Sequence, residues 1–387
     1  MWNVFITGAT GFLGGELLIA LSQLDSVEKV ACLVRADSTE EARVRLEHVF
    51  AVHRNHYDGS KVFPIAGDLT NPQLAADLAG RRELTDVNLV IHSGANTSFL
   101  GRKSRVIEDT NVLGTRRIAS WASALKGLET FLYVGTATIV GAGDDVRGRT
   151  VFEDESPNSS ATHLLEYTRS KMFAEMAART EIPHDKLLIT RPSILLGDSR
   201  PIVPRSFDIA WIIIAIEELR MFFGNPDASC DIIPADYAAN AIVALLTAHR
   251  QHRTYHVSAG IRATTCRQLG NAVDYSGPNK PSLVFCPMED LEPIKKWLRG
   301  REPMAPSLAR YSKHLEYIRY GIGVKKARIM LSGLDAYWNF INLDQRFDNS
   351  RLLADTKIGL PAPAHEYVKQ TAAYLGDLDP MDLARNP

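Results

Sequence analysis

The segment TGATGFLGG, residues 7–15, constrains the fold of this chain more than any other feature. It follows a β-branched and aromatic run at residues 2–6 and opens the helical pattern ELLIALSQL. Glycines between a strand and a helix allow a tight turn, and they let backbone N–H groups approach a pyrophosphate at the positive end of the helix. The sequence therefore predicts a dinucleotide-binding βαβ unit, with an ordinary strand-to-helix turn as the alternative.

Six further apolar runs continue the alternation of strand and helix patterns. They lie at residues 27–35, 61–68, 88–95, 130–138, 186–197 and 254–260. The stretches between them are long enough for the helical crossovers that parallel strands require. We predict an α/β fold, a Rossmann-type doubly wound parallel sheet of about seven strands with a smaller, mostly helical C-terminal substrate lobe.

The alternation changes after Gly197. Three prolines, at positions 201, 204 and 226, bracket an apolar helical pattern, and the strand–helix alternation is lost from about residue 277. We predict that residues 1–200 and 231–276 form a dinucleotide-binding Rossmann domain. Residues 201–230 and 277–387 would then form the substrate-binding lobe.

Composition excludes several other classes of protein. The 44 basic and 45 acidic residues give a net charge of −1, which argues against a nucleic-acid partner. The four cysteines lie far apart without a C-x-x-C, and the histidines form no metal spacing such as H-x-x-x-H with a third ligand, so we expect no disulfide scaffold and no metal. The most apolar run, residues 209–216, is too short to span a bilayer, which takes about 20 helical residues. No signal peptide precedes the first strand pattern, so we expect a cytoplasmic monomer or homodimer that is open to peripheral membrane contact but has no membrane span.

The end of the second predicted strand bears on the choice between NAD and NADP. Arg35 stands 21 residues after Gly14, where an acidic residue would read the ribose 2′-hydroxyl. A guanidinium at this point binds a 2′-phosphate through charge-assisted hydrogen bonds, so the sequence favours NADP. Asp37 is the competing ribose acceptor. Asp68 and Leu69, after the third strand, are candidates to contact the adenine, with a helix N-cap as the alternative for Asp68.

A candidate catalytic set lies in the middle of the chain. Tyr167 and Lys171 share a helix face at i and i+4, and an ammonium beside a phenol lowers the pKa of the phenol. Tyr167 would give a proton to a carbonyl oxygen while Lys171 holds the nicotinamide ribose. Thr136, at the end of the preceding strand, would hydrogen-bond the same oxygen, although a strand-end or helix-capping hydroxyl is the plainer interpretation.

Together these motifs resemble the extended short-chain dehydrogenases/reductases. The resemblance is carried by TGxxGxxG, the Thr–Tyr–Lys set, NVLGT at 111–115 and RPS at 191–193. Within that superfamily the chain is most similar to fatty acyl-CoA reductases and to the thioester reductase domains of carboxylic acid reductases and peptide synthetases. The narrower likeness rests on CLVRA, AGDLT, IHSGANTSF, ITRPSILLGD, DIIPADYAANAI and RFDNSRLLADTKIGLPAP.

The resemblance implies NADPH-dependent reduction of an acyl thioester, carried by CoA or a carrier protein, to the aldehyde and then in some enzymes to the alcohol. It makes Thr136, Tyr167 and Lys171 catalytic. The residues implied to bind NADP(H) are Thr7, Gly8, Thr10, Gly11, Phe12, Leu13, Gly14, Arg35, Asp68, Leu69, Ser93, Gly94, Ala95, Asn111, Tyr167, Lys171, Pro192 and Ser193. The chain departs from the family at Gly135, where a serine is common, so of residues 135 and 136 only Thr136 supplies a hydroxyl.

Two rival functions fit the same sequence. One is an extended reductase or epimerase that acts on a ketone, sterol or nucleotide sugar, and the other is a non-catalytic NADP-binding sensor. The apolar helix at 209–216, with Trp211, Phe222 and Phe223, is either the wall of an acyl tunnel or plain core. The cations Lys295, Lys296, Arg299, Arg301, Lys325, Lys326 and Arg328 either meet CoA phosphates or an acidic carrier, or form a solvated helix face.

Overall fold

A seven-stranded parallel sheet organises the molecule. The computed structural model describes residues 1–98, 104–200, 207–274, 280–300 and 306–375. The strands are β1 (Trp2–Thr7), β2 (Val27–Val34), β3 (Val62–Ala66), β4 (Leu89–His92), β5 (Thr130–Val134), β6 (Leu187–Pro192) and β7 (Thr254–Val257). Their order is β7-β6-β5-β4-β1-β2-β3, and every neighbouring pair is parallel. This confirms the predicted doubly wound sheet, whose strand order reverses between β1 and β4 and leaves a crevice at their carboxyl ends.

Helices cover both faces of the sheet and form most of the C-terminal region. They are α1 (Phe12–Ser22), α2 (Thr39–Val52), α3 (Leu74–Ala79), α4 (Ser104–Glu108), α5 (Gly114–Ser123), α6 (Glu166–Glu181), α7 (Phe207–Leu219), α8 (Ala235–Thr247), α9 (Cys266–Ala272), α10 (Leu291–Leu298), α11 (Ser312–Tyr317), α12 (Val324–Ile341), α13 (Ser350–Asp355) and α14 (Ala364–Leu375). Single π-helical turns occupy Asp109–Leu113 and Ile318–Ile322. Short 3₁₀ turns lie at Arg82–Leu84, Ala137–Val140, Asp144–Val146, Gly260–Arg262, Met288–Asp290 and Pro306–Tyr311.

The strands are mostly apolar because both faces of the sheet are covered. Side chains alternate between the two faces, so Val4 and Ile6 pack with Leu17 of α1, whereas Phe5 packs on the opposite side. There its ring lies 4.5 Å from the Trp121 ring of α5, centroid to centroid. The two faces are thus two separate hydrophobic clusters, and the carboxyl edge of the sheet between them is left for polar groups.

One predicted strand is interrupted. The sequence predicts a single strand over residues 186–197, but β6 ends at Pro192 and a second strand, Ile194–Leu195, follows. Ser193 N–H donates to the Val257 carbonyl (3.0 Å) and Ile194 N–H to the Asp231 carbonyl (3.2 Å), so the chain changes partner at this point. Ile194–Leu195 then pairs with Ile232–Ile233 outside the main sheet. The change of direction brings Pro192 and Ser193 to the crevice.

A third hydrophobic cluster joins α7, α9, α10, α12 and α14. Short strand pairs that the sequence did not predict join segments distant in the chain: Met221–Phe223 with Val284–Cys286, Ser229–Cys230 with Thr264–Thr265, and Thr150–Val151 with Arg346–Phe347. Cys266 and Leu269 of α9 belong to this third cluster although the predicted boundary assigns them to the nucleotide-binding domain. We therefore propose a second lobe centred on α7, α10 and α12 that also includes α9.

Candidate active site

The loop between β1 and α1 is a close-packed glycine turn. Gly8 has a φ of +75°, and Gly11 N–H donates to the Gly8 carbonyl at 2.9 Å. A Cβ on Gly14 would lie 1.9 Å from the Gly8 carbonyl oxygen, and one on Gly8 would lie 2.7 Å from the Gly94 nitrogen. Helix α1 begins without a side-chain cap. All three glycines line a cavity, so the loop fits the phosphates of a dinucleotide, which need open N–H groups and a close backbone approach.

A buried polar chain braces this loop from behind. The Thr7 hydroxyl is hydrogen-bonded to His92 Nδ1 (2.7 Å) and accepts Gly94 N–H (3.0 Å), and His92 Nε2 contacts the Thr115 hydroxyl (2.9 Å). Burial lowers the pKa of His92 to about 3, so the ring is neutral at ordinary pH. Thr7, predicted to bind the cofactor, is 1% exposed and does not line the cavity. Its position makes it a support for the glycine turn.

The cavity lies at the carboxyl edge of the sheet and has a volume of about 620 Å³. It brings together the three predicted catalytic residues and most of the predicted cofactor residues. Those that line it are Thr136, Tyr167, Lys171, Gly8, Gly11, Phe12, Leu13, Gly14, Ser93, Gly94, Ala95, Pro192 and Ser193. The predicted cofactor residues that do not line it are Thr7, Thr10, Arg35, Asp68, Leu69 and Asn111.

Three of these residues act next to the cavity instead. Asp68 accepts the N–H and the hydroxyl of Thr70 at 2.8 and 2.9 Å, which makes it the polar anchor of a turn. Asn111, on the π-helical turn, accepts Asn96 N–H (2.7 Å) and donates to the Ser170 hydroxyl (2.8 Å). Leu69 packs near Gly94. They hold the loop after β4 and the start of α6 in place.

Lys171 is held beneath the cavity and is 3% exposed. Its Nζ donates to the Val134 carbonyl at 2.6 Å and lies 4.5 Å from the centroid of the Tyr133 ring. Burial lowers the pKa of Lys171 to about 7, partly offset by Glu175, and burial raises the pKa of Tyr167 to about 12. The sequence suggested that the ammonium lowers the pKa of the phenol. The pKa of the phenol shifts the other way, because burial removes solvent that would stabilise the phenolate.

A buried ion pair lies one helical turn from Lys171. Glu175 accepts two hydrogen bonds from Arg191, from Nε at 3.0 Å and from Nη2 at 2.7 Å, and both side chains are 0% exposed. Arg179 adds a bond from its Nη2 at 2.8 Å. These cations hold the pKa of Glu175 below its ordinary value against the opposing effect of burial. Arg191 of the RPS motif thus ties β6 to the helix that carries Tyr167 and Lys171.

Gly135 lines the cavity, and the side chain that it lacks would lie close to the buried ion pair. A Cβ built on it would have as its nearest atoms Tyr133 Cε1 (3.3 Å), a Glu175 carboxylate oxygen (3.4 Å) and the Thr190 carbonyl oxygen (3.4 Å). A serine at this position would therefore point toward Glu175. The departure from the family pattern leaves the hydroxyl of Thr136 in place.

The tip of β2 carries a second guanidinium that the sequence motifs did not indicate. Arg35 is exposed there, and Arg45 of α2 donates from Nη1 to the Arg35 carbonyl. Asp37 is also exposed, and its N–H donates to the Glu41 carboxylate at 2.9 Å. The i+10 spacing gives no local signal for Arg45, because only the packing of α2 against the strand brings it to this point.

The far end of the cavity is apolar. Its wall is formed by Ile212, Ile213 and Ile216 of α7, Phe222, Ile232, Leu269 and Val273, and Tyr337, Phe340 and Ile341 of α12. Phe223 is buried but does not line the cavity, and the Trp211 side chain lies outside the described residues. Among the described lining residues, Lys171 is the one basic side chain, and no carboxylate lines the cavity there. Thr97, Thr138 and Thr168, which the motifs did not indicate either, also line the cavity.

The basic cluster of the C-terminal region is partly neutralised within the fold. Lys295 is 3% exposed and pairs with Asp335 of α12, and Lys326 pairs with Glu218 at 2.8 Å. Arg301 lies outside the described residues. Across the described ranges no three His, Cys, Asp or Glu side chains come together as metal ligands. The helices in those ranges are too short or too polar to span a bilayer.

The fold and the cavity define a nicotinamide-dependent oxidoreductase of the extended short-chain type. A model of an NAD-binding family described as male sterility protein matches residues 6–242, and the chain belongs to this family. The non-canonical nonribosomal peptide synthetase cpsA of Aspergillus campestris is 28% identical over 326 residues, which cover 79% of this chain and 30% of that protein. Fatty acyl-CoA reductase wat of Drosophila melanogaster is 26% identical over 276 residues, which cover 62% of this chain and 53% of that protein.

Among solved structures, the terminal R domain from the myxalamid PKS-NRPS biosynthetic pathway superposes with a TM-score of 0.73. The match covers 97% of this chain and 91% of that chain at 22% identity. At this level of identity the likeness shows a common fold. The chain spans 30% and 53% of the two relatives named above, so the activities of those whole proteins are not transferred with the family.

Proposed function

We propose that this chain reduces an acyl thioester with NADPH and releases an aldehyde and a free thiol. The observation that carries the proposal is a single cavity with three parts. A dinucleotide-type glycine turn lies at one end, Thr136, Tyr167 and Lys171 lie in the middle, and an apolar wall lies at the other end. Such a cavity suits an uncharged acyl group whose carbonyl lies beside the catalytic set.

Thr136 and Tyr167 have different roles at the carbonyl group of the substrate. Bound NADPH supplies the hydride that the carbonyl carbon accepts. Thr136 donates a hydrogen bond to the carbonyl oxygen. Tyr167 has a pKa of about 12 and is therefore protonated at neutral pH, and it transfers its proton as the oxygen becomes negative. The hemithioacetal then breaks its carbon–sulfur bond and gives the aldehyde and the thiol. A second hydride, from a second NADPH, and a second proton would convert the aldehyde into the alcohol.

Lys171 organises this chemistry without transferring the proton itself. Its Nζ already donates to the Val134 carbonyl, and its remaining hydrogens are free to meet a ribose that lies beside the glycine turn. With a pKa near 7, the amine carries its charge fully only under slightly acidic conditions or with an anion bound nearby. We expect the phosphates of the cofactor to restore that charge.

The preference for NADPH rests on two guanidinium groups at the tip of β2. Arg35 is exposed and Arg45 is half-buried against its carbonyl, so a 2′-phosphate placed there would meet both. Hydrogen bonds to charged groups contribute about 1.5–3 kcal/mol each, so Arg35→Gln is expected to lower kcat/KM for NADPH by about 10–100-fold. The same variant should leave kcat/KM for NADH nearly unchanged. Equal losses with both cofactors would contradict the assignment.

The type of thiol that carries the acyl group is inferred from the relatives of this chain. A nonribosomal peptide synthetase and a fatty acyl-CoA reductase both align with this chain. We propose a substrate held on CoA or on a carrier protein through a pantetheine thioester. Because the apolar wall presents no charge, the acyl part is neutral.

A panel of thioesters tests the proposed activity. Purified protein is incubated with NADPH and acyl-CoAs, acyl-pantetheines, aldehydes and ketones, while absorbance at the nicotinamide band, thiol release and the organic product are followed. Thiol release together with aldehyde or alcohol supports the proposal. Turnover of ketones alone would instead identify a ketone reductase, and binding of NADPH without oxidation across the panel would identify a sensor.

Tyr167→Phe tests the role of the phenol. We expect turnover to fall below detection while NADPH binding, measured by its fluorescence, is retained. Tyr237→Phe is the matched control, because Tyr237 lies on α8 and its hydroxyl has no hydrogen-bond partner among the described residues. Full activity in Tyr167→Phe would refute the role of Tyr167.

A further inference from the structure

Two threonine hydroxyls meet at the catalytic end of β5. Thr136 Oγ1 and Thr138 Oγ1 are 3.0 Å apart, and either atom can be the donor. Both side chains line the cavity and are less than 10% exposed. Thr136 begins the 3₁₀ turn Ala137–Val140, and its hydroxyl oxygen also accepts Thr138 N–H at 3.4 Å. The turn therefore fixes the second hydroxyl next to the first.

A count of hydrogens links the direction of the bond between them to the role proposed for Thr136. A threonine hydroxyl has one hydrogen to donate and two lone pairs to accept. If Thr136 gave its hydrogen to Thr138, none would remain for a substrate oxygen. If Thr138 donates, Thr136 accepts twice, from the backbone N–H and from the Thr138 hydroxyl, and its own hydrogen points into the cavity.

We propose that Thr138 is a positioning residue that keeps the Thr136 hydroxyl in the donating orientation toward the substrate carbonyl. The inference rests on the proposed function, since it needs a carbonyl oxygen at that place. A donor that already accepts a hydrogen bond is polarised and donates more strongly, and it needs no reorientation as charge develops on the oxygen. Thr138 acts through Thr136 and does not itself touch the substrate.

The threonine pair supplies two hydroxyls although position 135 carries none. A side chain at position 135 would lie close to Glu175 and the Thr190 carbonyl. The second hydroxyl of the site belongs to Thr138, which the 3₁₀ turn places beside Thr136. Sequence comparison at position 135 alone misses this arrangement.

Steady-state kinetics of the full chain with an acyl-CoA substrate test the inference. Loss of one preorganised donor to a developing oxyanion slows turnover by about 10²–10³-fold, and loss of its support should cost less. We expect Thr138→Val to lower kcat by about tenfold with KM for NADPH unchanged, and Thr138→Ser to restore most of it. The primary isotope effect with deuterated NADPH should rise in Thr138→Val, because the hydride step becomes more rate-limiting.

A double-mutant cycle separates positioning from general damage. Because Thr138 acts through Thr136, the variant with both residues changed to Val should be no slower than Thr136→Val alone. Thr190→Val is the isosteric control, since Thr190 Oγ1 is buried without a partner in the described part of the chain. Thr138→Ala removes the same hydroxyl, so its kcat provides a second measurement if the Val variant has a lowered melting temperature.

The outcomes are distinguishable. Wild-type kcat in Thr138→Val, or independent losses in the double variant, would overturn the inference and leave the proposed function standing. Absence of thioester turnover in the wild-type chain would overturn the proposed function and this inference with it.

Discussion

The buried ion pair beneath the catalytic helix offers the sharpest test of the structure. Glu175→Gln removes one negative charge at nearly constant volume. Arg191 is 0% exposed, so the substitution leaves a buried guanidinium beside a neutral amide. The amide nitrogen also donates, and so it cannot accept from the guanidinium as the second carboxylate oxygen does.

The size of the effect follows from burial. Removing one partner of a buried pair typically costs about 3–5 kcal/mol, because the remaining charge loses its compensation. An exposed pair contributes about 0–1 kcal/mol. Glu166 and Arg169 form such an exposed pair on the same helix, with 24% and 46% of their side chains accessible. Glu166→Gln is therefore the matched control, and we expect the two variants to differ by about 3 kcal/mol.

Urea denaturation at neutral pH measures the difference, because urea does not screen charges as guanidinium does. Both variants should keep the wild-type dependence of unfolding free energy on urea, and only Glu175→Gln should shift the midpoint strongly. Equal midpoints for the two variants would refute the argument. They would mean that Arg191 is compensated by other groups and that the pair does not hold α6 on β6.

Three further changes test other parts of the molecule. Gly14→Ala should abolish NADPH fluorescence enhancement, since its Cβ would lie 1.9 Å from the Gly8 carbonyl oxygen; wild-type binding would contradict the loop geometry. Ile213→Trp should fill the apolar end and lower kcat/KM for long acyl-CoAs more than for short ones, and equal effects on both would exclude this wall from acyl binding. Burial lowers the pKa of His256 from 6.5 to about 3, so the unfolded chain binds the proton first and stability is lost as pH falls from 6.5 toward 3. His256→Asn keeps a donor toward the Asp348 carbonyl and should make that loss shallower by about 1.4 kcal/mol per pH unit; an unchanged slope in urea titrations would show that the ring is protonated in the native state.

Much of the frame was predictable because its signals are local. Short apolar runs, a glycine turn and the spacing of helical segments depend on neighbours in sequence, and they predicted the seven strands within a few residues. The glycine turn in particular is dictated by residues 7–15, where the chain must pass close to itself. The break in the strand after Pro192 was not predicted, because it depends on which carbonyl groups accept the N–H groups of Ser193 and Ile194.

Some features of the candidate active site follow from the sequence, and others follow only from the tertiary structure. Residue identity and helical spacing brought Tyr167 and Lys171 together on α6, but the direction of their pKa shifts was set by burial, which no window of sequence measures. Thr138 and Arg45 become neighbours of the predicted residues only through a 3₁₀ turn and the packing of α2. The apolar wall joins α7 with α12, more than a hundred residues apart, so the folded chain alone decides which side chains an acyl group would meet. Local backbone geometry depends on residues that are adjacent in the sequence. Solvent exclusion and contacts between distant segments arise only when the sheet and helices have packed together.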